Sequence, residues 1–159
     1  MNGGPSTART TPLLKRVSLL ERIGFLRWAR RLSQTVDEGD PGSDLLQARG
    51  IALDALIGHI EIGTAITTLS EVRTPEDPSL PRRLSAGLLW FGGDRDAAIS
   101  DLRAIVDSSE DPAASCQLGS MLACSGRPDV ASEWFLKAAS IDPRYPCAVH
   151  WTAAYEAYR

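Results

Sequence analysis

The sequence predicts an all-α fold, in which tandem helix-turn-helix units stack as a short right-handed solenoid behind a basic helix. Three observations predict it. From Ser43 onward apolar residues recur at helical spacing, and no run shows the sustained apolar–polar alternation of a half-buried strand. Glycine and Asp-Pro separators divide that stretch, each closing one helix and opening the next. Sliding the chain against itself by 34 residues then lays leucine on leucine, glycine on glycine and alanine on alanine.

Composition sets the frame. A chain of 159 residues, 43% apolar and 23% charged, can enclose the core of one globular domain and carry an appendage. The longest uncharged run, Pro112 to Gly126, is broken by serines and a glutamine and is too short for a bilayer. Leu13-Leu14 is followed at once by Lys15-Arg16, where the apolar core of a secretory signal would continue. The three cysteines form no Cys-x-x-Cys and leave one odd, so the expected compartment is reducing and cytoplasmic. Arginine outnumbers lysine fifteen to two, a compositional pointer to a GC-rich bacterial genome.

Taken in order, residues 1–10 have linker composition and are expected to be disordered. Residues 11–36 form a basic amphipathic helix, opening at Thr11-Pro12 or at Ser18, whose Glu21 partner completes a capping box. The segment 37–43 (DEGDPGS) is a linker, and 44–159 is the helical domain. Within it the expected helices are 44–57, 60–72, 81–91, 95–106, 112–124, 128–140 and 146–157. Their separators are Gly58, Thr74 to Pro81, Gly92-Gly93, Asp111-Pro112, Gly126 with Pro128, and Asp142-Pro143.

The 34-residue offset pairs Leu84 with Leu118, Leu88 with Leu122, Gly92 with Gly126, Ala97 with Ala131 and Ala104 with Ala138. The leucines make an apolar stripe on a first helix, the glycine permits a tight reversal, and the alanines let a second helix approach closely. In 112–145, Leu118-Gly119, Leu122, Ala131, Phe135, Ala138 and Pro143 fall at the signature spacings of the tetratricopeptide repeat, which this segment resembles. The unit 78–111 matches less fully, and an earlier unit, 46–77, needs a two-residue slip to set Ala65 under Ala97. There Leu56, Ala65, Leu69 and Val72 take the packing roles. The family's frequent first-helix tryptophan is replaced by Pro81 and Ser115, so these are divergent repeats. The final helix 146–157 is expected to cover the exposed end of the stack.

The resemblance implies a non-catalytic scaffold binding a protein or peptide partner in a groove lined by first helices. Carried over by position, that groove includes Arg82, Arg83, Ala86, Leu89 and Trp90, and in the next unit Cys116, Ser120, Ala123 and Cys124. An arginine fork can hold a carboxylate, and tryptophan is a common interface anchor. The lysines and asparagines with which some family members grip a peptide carboxylate are missing at the matching places. The bland alternative buries Trp90 and leaves Arg82 solvated.

Residues 1–34 carry seven basic side chains against the single acid Glu21, whereas residues 35–159 carry ten basic and nineteen acidic ones. Lys15, Arg16, Arg22, Arg27, Arg30 and Arg31 surround the apolar series Leu13, Val17, Leu20, Ile23, Leu26, Ala29 and Leu32, with Trp28 beside it. Such a helix reads as a membrane-surface element, as a partner helix, as an organellar targeting segment, or as the first helix of the fold with a solvated charged face. A fifth reading docks it on the acidic body's own groove. Nucleic-acid binding draws no support, because the body is acidic and carries no groove-reading motif.

No catalytic constellation, phosphate loop or nucleophile elbow is present in the sequence. His59, His150, Cys116, Cys124 and Cys147 lack the close paired spacing of a zinc site and read better as packing residues. Neither a metal nor a cofactor is expected.

Overall fold

A computed structural model of the chain describes residues 26–35, 40 and 42–146. The expected disorder of 1–10, the Ser18–Glu21 capping box, Lys15, Arg16, Arg22, the Trp28 side chain, Cys147, His150 and the end-covering helix beyond residue 146 lie outside the described residues. Among those residues all regular structure is helical. In chain order the helices are α1 (Leu26–Ser33), α2 (Ser43–Leu56), α3 (Ile62–Glu71), α4 (Leu80–Gly92), α5 (Arg95–Ser108), α6 (Pro112–Cys124) and α7 (Pro128–Ile141). Two compact units divide the chain, Met1–Gly93 and Asp94–Arg159.

In the first unit α2 packs against α1, α3 and α4. Its sequence explains how one helix serves three neighbours. Leu46 and Leu53, seven residues apart on one side, are buried with Ala29 of α1, and Leu26 and Leu32 pack around them. Ala48, Ala52 and Ala55 on another side join Ala65 and Leu69 of α3 and Leu80 and Leu88 of α4 in a second cluster. The small alanines let α3 and α4 come close, while each fully buried leucine contributes about 1.5–3 kcal/mol. Gly50 serves the α1 contact, since a Cβ there would lie 3.3 Å from Ser33 Oγ. Of the packing positions expected for 46–77, Ala65 and Leu69 are buried in this core, and Leu56 and Val72 are half-buried against it.

The loop between α3 and α4 is organised by polar groups. Buried Thr74 donates its hydroxyl to the Asp77 carbonyl at 2.5 Å, and Ser79 Oγ donates to Asp77 Oδ1 at 3.0 Å. Arg83 closes the arrangement from α4, its Nη2 on Asp77 Oδ2 and its Nε 3.2 Å from Ser79 Oγ.

In the second unit α6 packs against both α5 and α7, and its burial reflects two partners. Ala114, Ser115, Cys116, Leu118, Gly119, Met121 and Leu122 are all buried. Asp111 starts the helix by accepting hydrogen bonds from Ala113 N at 2.8 Å and Ala114 N at 3.0 Å, with Pro112 in the first turn. Ser115 satisfies its buried hydroxyl on the Asp111 carbonyl. The chain then reverses over three residues, with Gly126 at φ 76°. On α7 the buried residues are Ala131, Ser132, Phe135 and Ala138. Phe135 lies directly on Gly119, where an added Cβ would sit 2.7 Å from its ring. Pro143 is exposed just past the end of α7.

The expected unit 78–111 is divided between the two compact units at Gly93–Asp94, and its register also differs from the expected one. Gly92 is the last residue of α4, and Gly93 is the glycine that adopts the reversing conformation, at φ 96°. The next helix also inserts with a different phase. Ala97 is only half-buried and Ala104 is exposed, whereas Ala98, Leu102, Ile105 and Val106 form the buried face of α5. Asp94 caps α5 by accepting from Ala97 N at 3.2 Å, and the helix starts at Arg95 as expected. From Gly93 to Gly126, and from Arg95 to Pro128, the spacing is 33 residues. Leu84 and Leu88 still pack in the first unit's core, the former half-buried.

Candidate functional site

The residues assigned to a partner groove fall into three groups. Ala86 and Cys116 are buried, at 0% and 2% exposure, and belong to the interior rather than to a surface. Arg83 is engaged by Asp77 and Ser79, with 12% of its side chain exposed. It holds the α3–α4 loop instead of reaching outward. The rest offer surface: Arg82 is exposed on α4 with Leu89 and Trp90 half-buried, and on α6 Cys124 is exposed with Ser120 and Ala123 half-buried. Arg82, Leu89 and Trp90 share a helix face by their spacing of seven and eight residues. Ser120 donates its hydroxyl to the Cys116 carbonyl at 2.9 Å.

Two further apolar side chains reach solvent, Phe91 at 70% and Leu136 at 51% exposure. Phe91 extends the exposed end of α4 beside Trp90. Leu136 lies on α7 between Trp134 and Lys137, whose ammonium is 5.1 Å from the Trp134 ring centroid.

The basic helix places its charges differently from its apolar face. Over Leu26–Ser33 the apolar residues Leu26, Ala29 and Leu32 face α2. Arg27 and Arg31 are exposed, and Arg30 turns inward. Its Nε donates to Asp54 Oδ1 and its Nη2 to Asp54 Oδ2, both at 2.6 Å, a bidentate pair joining α1 to α2. Gln34, with its amide oriented to suit, accepts from Nη1 and Nη2 of the same guanidinium at 2.9 and 3.0 Å. His59 Nδ1 lies 3.3 Å from Asp54 Oδ1. The Arg30 hydrogen bonds hold the Asp54 carboxyl below its ordinary value against the opposing effect of burial, and Arg30's charge and His59 add to the lowering.

Around this pair opens a cleft of about 490 Å³ lined by Arg27, Arg30, Arg31, Gln34, Asp54, Ile57 and His59. The arginines were legible as a basic helix, but Asp54, Gln34 and His59 were not associated with them. The only hint was the four-residue spacing of Arg27, Arg31 and Thr35 with Arg30 and Gln34 alongside, which sets Gln34 on the arginine face.

Among the described residues no group of three or more His, Cys, Asp or Glu side chains is placed to hold a metal ion, and no helix is long and apolar enough to cross a membrane. No family model matches this chain, and no curated protein or solved structure matches it.

Proposed function

We propose that the chain is a non-catalytic protein-interaction module built from divergent tetratricopeptide-like helix hairpins. The observation that supports this reading most directly is the α6–α7 hairpin. Leu118, Leu122, Ala131, Phe135 and Ala138 lie on its inside, and Gly119 makes room for the Phe135 ring. These are the positions at which 112–145 resembles the family. A peptide or partner helix would bury Leu89 and Trp90 of α4, oriented by Arg82, and the exposed face of α6 at Ser120, Ala123 and Cys124 would supply a second surface.

The membrane-adaptor alternative loses part of its basis, because Leu26, Ala29 and Leu32 already pack against α2 and are not offered to a lipid surface.

The test is affinity capture from native lysate with the full chain and two variants, Arg82→Glu and Trp90→Ala, each first checked for an unchanged melting temperature. The expected result is one protein captured in near-equal amount by the parent and lost from both folded variants. Capture undiminished by either substitution refutes the placement of binding on α4.

A further inference from the structure

We propose that α1 is a binding element for anionic lipid surfaces that α2 keeps covered, so that docking on α2 and docking on a bilayer exclude each other. Both modes use the same side chains. Leu26, Ala29 and Leu32 form the apolar face of α1, and in the folded chain they pack with Leu46 and Leu53 of α2. A bilayer interface buries such a face at the boundary of headgroups and acyl chains, with the arginines at the headgroups. The face of α2 presents the same two features to α1. Leu46 and Leu53 supply an apolar floor, and Asp54 supplies a pair of anionic oxygens on which the Arg30 guanidinium closes through Nε and Nη2, both at 2.6 Å. A lipid phosphate offers that fork an equivalent pair of oxygens.

Three properties of the contact make it exchangeable. Among the described helices α1 packs mainly against α2, and the cluster they share is separate from the one that joins α2 to α3 and α4. Departure of α1 therefore leaves that second cluster standing. The most specific part of the contact, the Arg30–Asp54 pair, keeps partial access to water, so a competing anion can reach it. Charge and length then favour the larger surface. Residues 1–34 carry seven basic side chains against one acid, and the sequence continues the apolar spacing of α1 upstream through Leu13, Val17, Leu20 and Ile23.

A disulfide lock separates the two modes of docking. A Cβ at position 50 would lie 3.3 Å from Ser33 Oγ, close enough for Ser33→Cys/Gly50→Cys to tie α1 to α2. This double variant carries Cys124→Ser and Cys147→Ser against stray pairing, and is compared oxidised and reduced beside the parent and Asp54→Asn. Co-sedimentation with phosphatidylglycerol vesicles is measured at constant ionic strength, with phosphatidylcholine vesicles as the reference. Melting curves establish that each protein is folded. The parent should bind the anionic vesicles selectively, and Asp54→Asn at least about threefold more tightly, because α2 then holds α1 less firmly. The oxidised lock should bind at least about tenfold more weakly than the same protein reduced. Equal binding by the oxidised and reduced lock would overturn the proposal, because the bilayer would then be met with α1 still in place. Absence of selective binding by both the parent and Asp54→Asn would also overturn it.

Discussion

Substituting Gly119 by alanine sets two known effects against each other at one position. In an ordinary helix interior the change stabilises by about 1 kcal/mol, because glycine loses more backbone freedom on folding. At Gly119 the new Cβ would meet three atoms of the Phe135 ring at 2.7, 3.0 and 3.0 Å. Carbon atoms rest about 3.5–4.0 Å apart, so the ring or the helix must retreat by roughly 0.5–1 Å. Phe135 is only 4% exposed and has no open side to move into. Overpacking of this kind costs about 1–3 kcal/mol. The collision therefore exceeds the propensity gain, and Gly119→Ala should destabilise the chain by about 1 kcal/mol, lowering the melting temperature by about 2–4 °C. Gly63→Ala is the matched control, because a Cβ on that helical glycine meets nothing within 4 Å. It should be neutral or stabilising. Urea unfolding followed by far-ultraviolet circular dichroism measures both, and a cycle with Phe135→Leu isolates the contact. The double variant should recover at least about 0.5 kcal/mol relative to the sum of the singles. A Gly119→Ala protein as stable as its parent, or a cycle that is strictly additive, would refute the reasoning.

Further expectations concern turns, caps and charge. Gly93→Ala should cost about 1–2 kcal/mol because it forces a side chain into positive φ, while Gly92→Ala should cost less than about 0.5 kcal/mol; comparative melting of the two locates the reversing glycine. Asp111→Ala leaves two amides of the first turn of α6 without their acceptor and should lower stability by about 1 kcal/mol in urea titration. Asp54→Asn should destabilise by about 1–2 kcal/mol, since both members of the Arg30 pair are at least four-fifths shielded from solvent. Because folding lowers the Asp54 carboxyl below its ordinary 3.8, its contribution is fully present above that pH and disappears as the pH falls through the lower folded value. The difference between parent and Asp54→Asn melting curves should therefore hold at neutral pH and begin to shrink only as the pH falls below 3.8.

The helix boundaries between Ser43 and Ile141 were legible because their signals are local. Asp111-Pro112 caps and opens α6 in three residues, and Gly126 with Pro128 closes one helix and starts another, so the observed ends fall within two residues of the expected ones. The inward phase of α5 was not legible. Ala97 and Ala98 are adjacent and chemically identical, and packing against α6 decides which is buried. Periodicity alone favoured the alanine matching Ala131 at the repeat spacing. The groove residues failed in a related way: helical position puts Ala86 and Cys116 near a surface, but neighbouring helices cover them. Arg83 looked outward until the Asp77 loop came back to it, and Arg30 found Asp54 across 24 residues of chain. The Arg30–Asp54 pairing, 24 residues apart, leaves no trace in local spacing, and the six-residue Arg83–Asp77 pairing depends on the fold of the loop between α3 and α4.

The double burial of α2 bears on the order in which the first unit comes apart. Leu46 and Leu53 answer to α1, whereas Ala48, Ala52 and Ala55 answer to α3 and α4. Release of Leu26–Ser33 exposes only the leucine side, so α1 can open as a sub-global fluctuation while the alanine side stays closed. The amide protons of α1 should then exchange with solvent earlier than those of α2, whose release requires both contacts to be lost. A helix held from two directions becomes the last part of its unit to forget its structure.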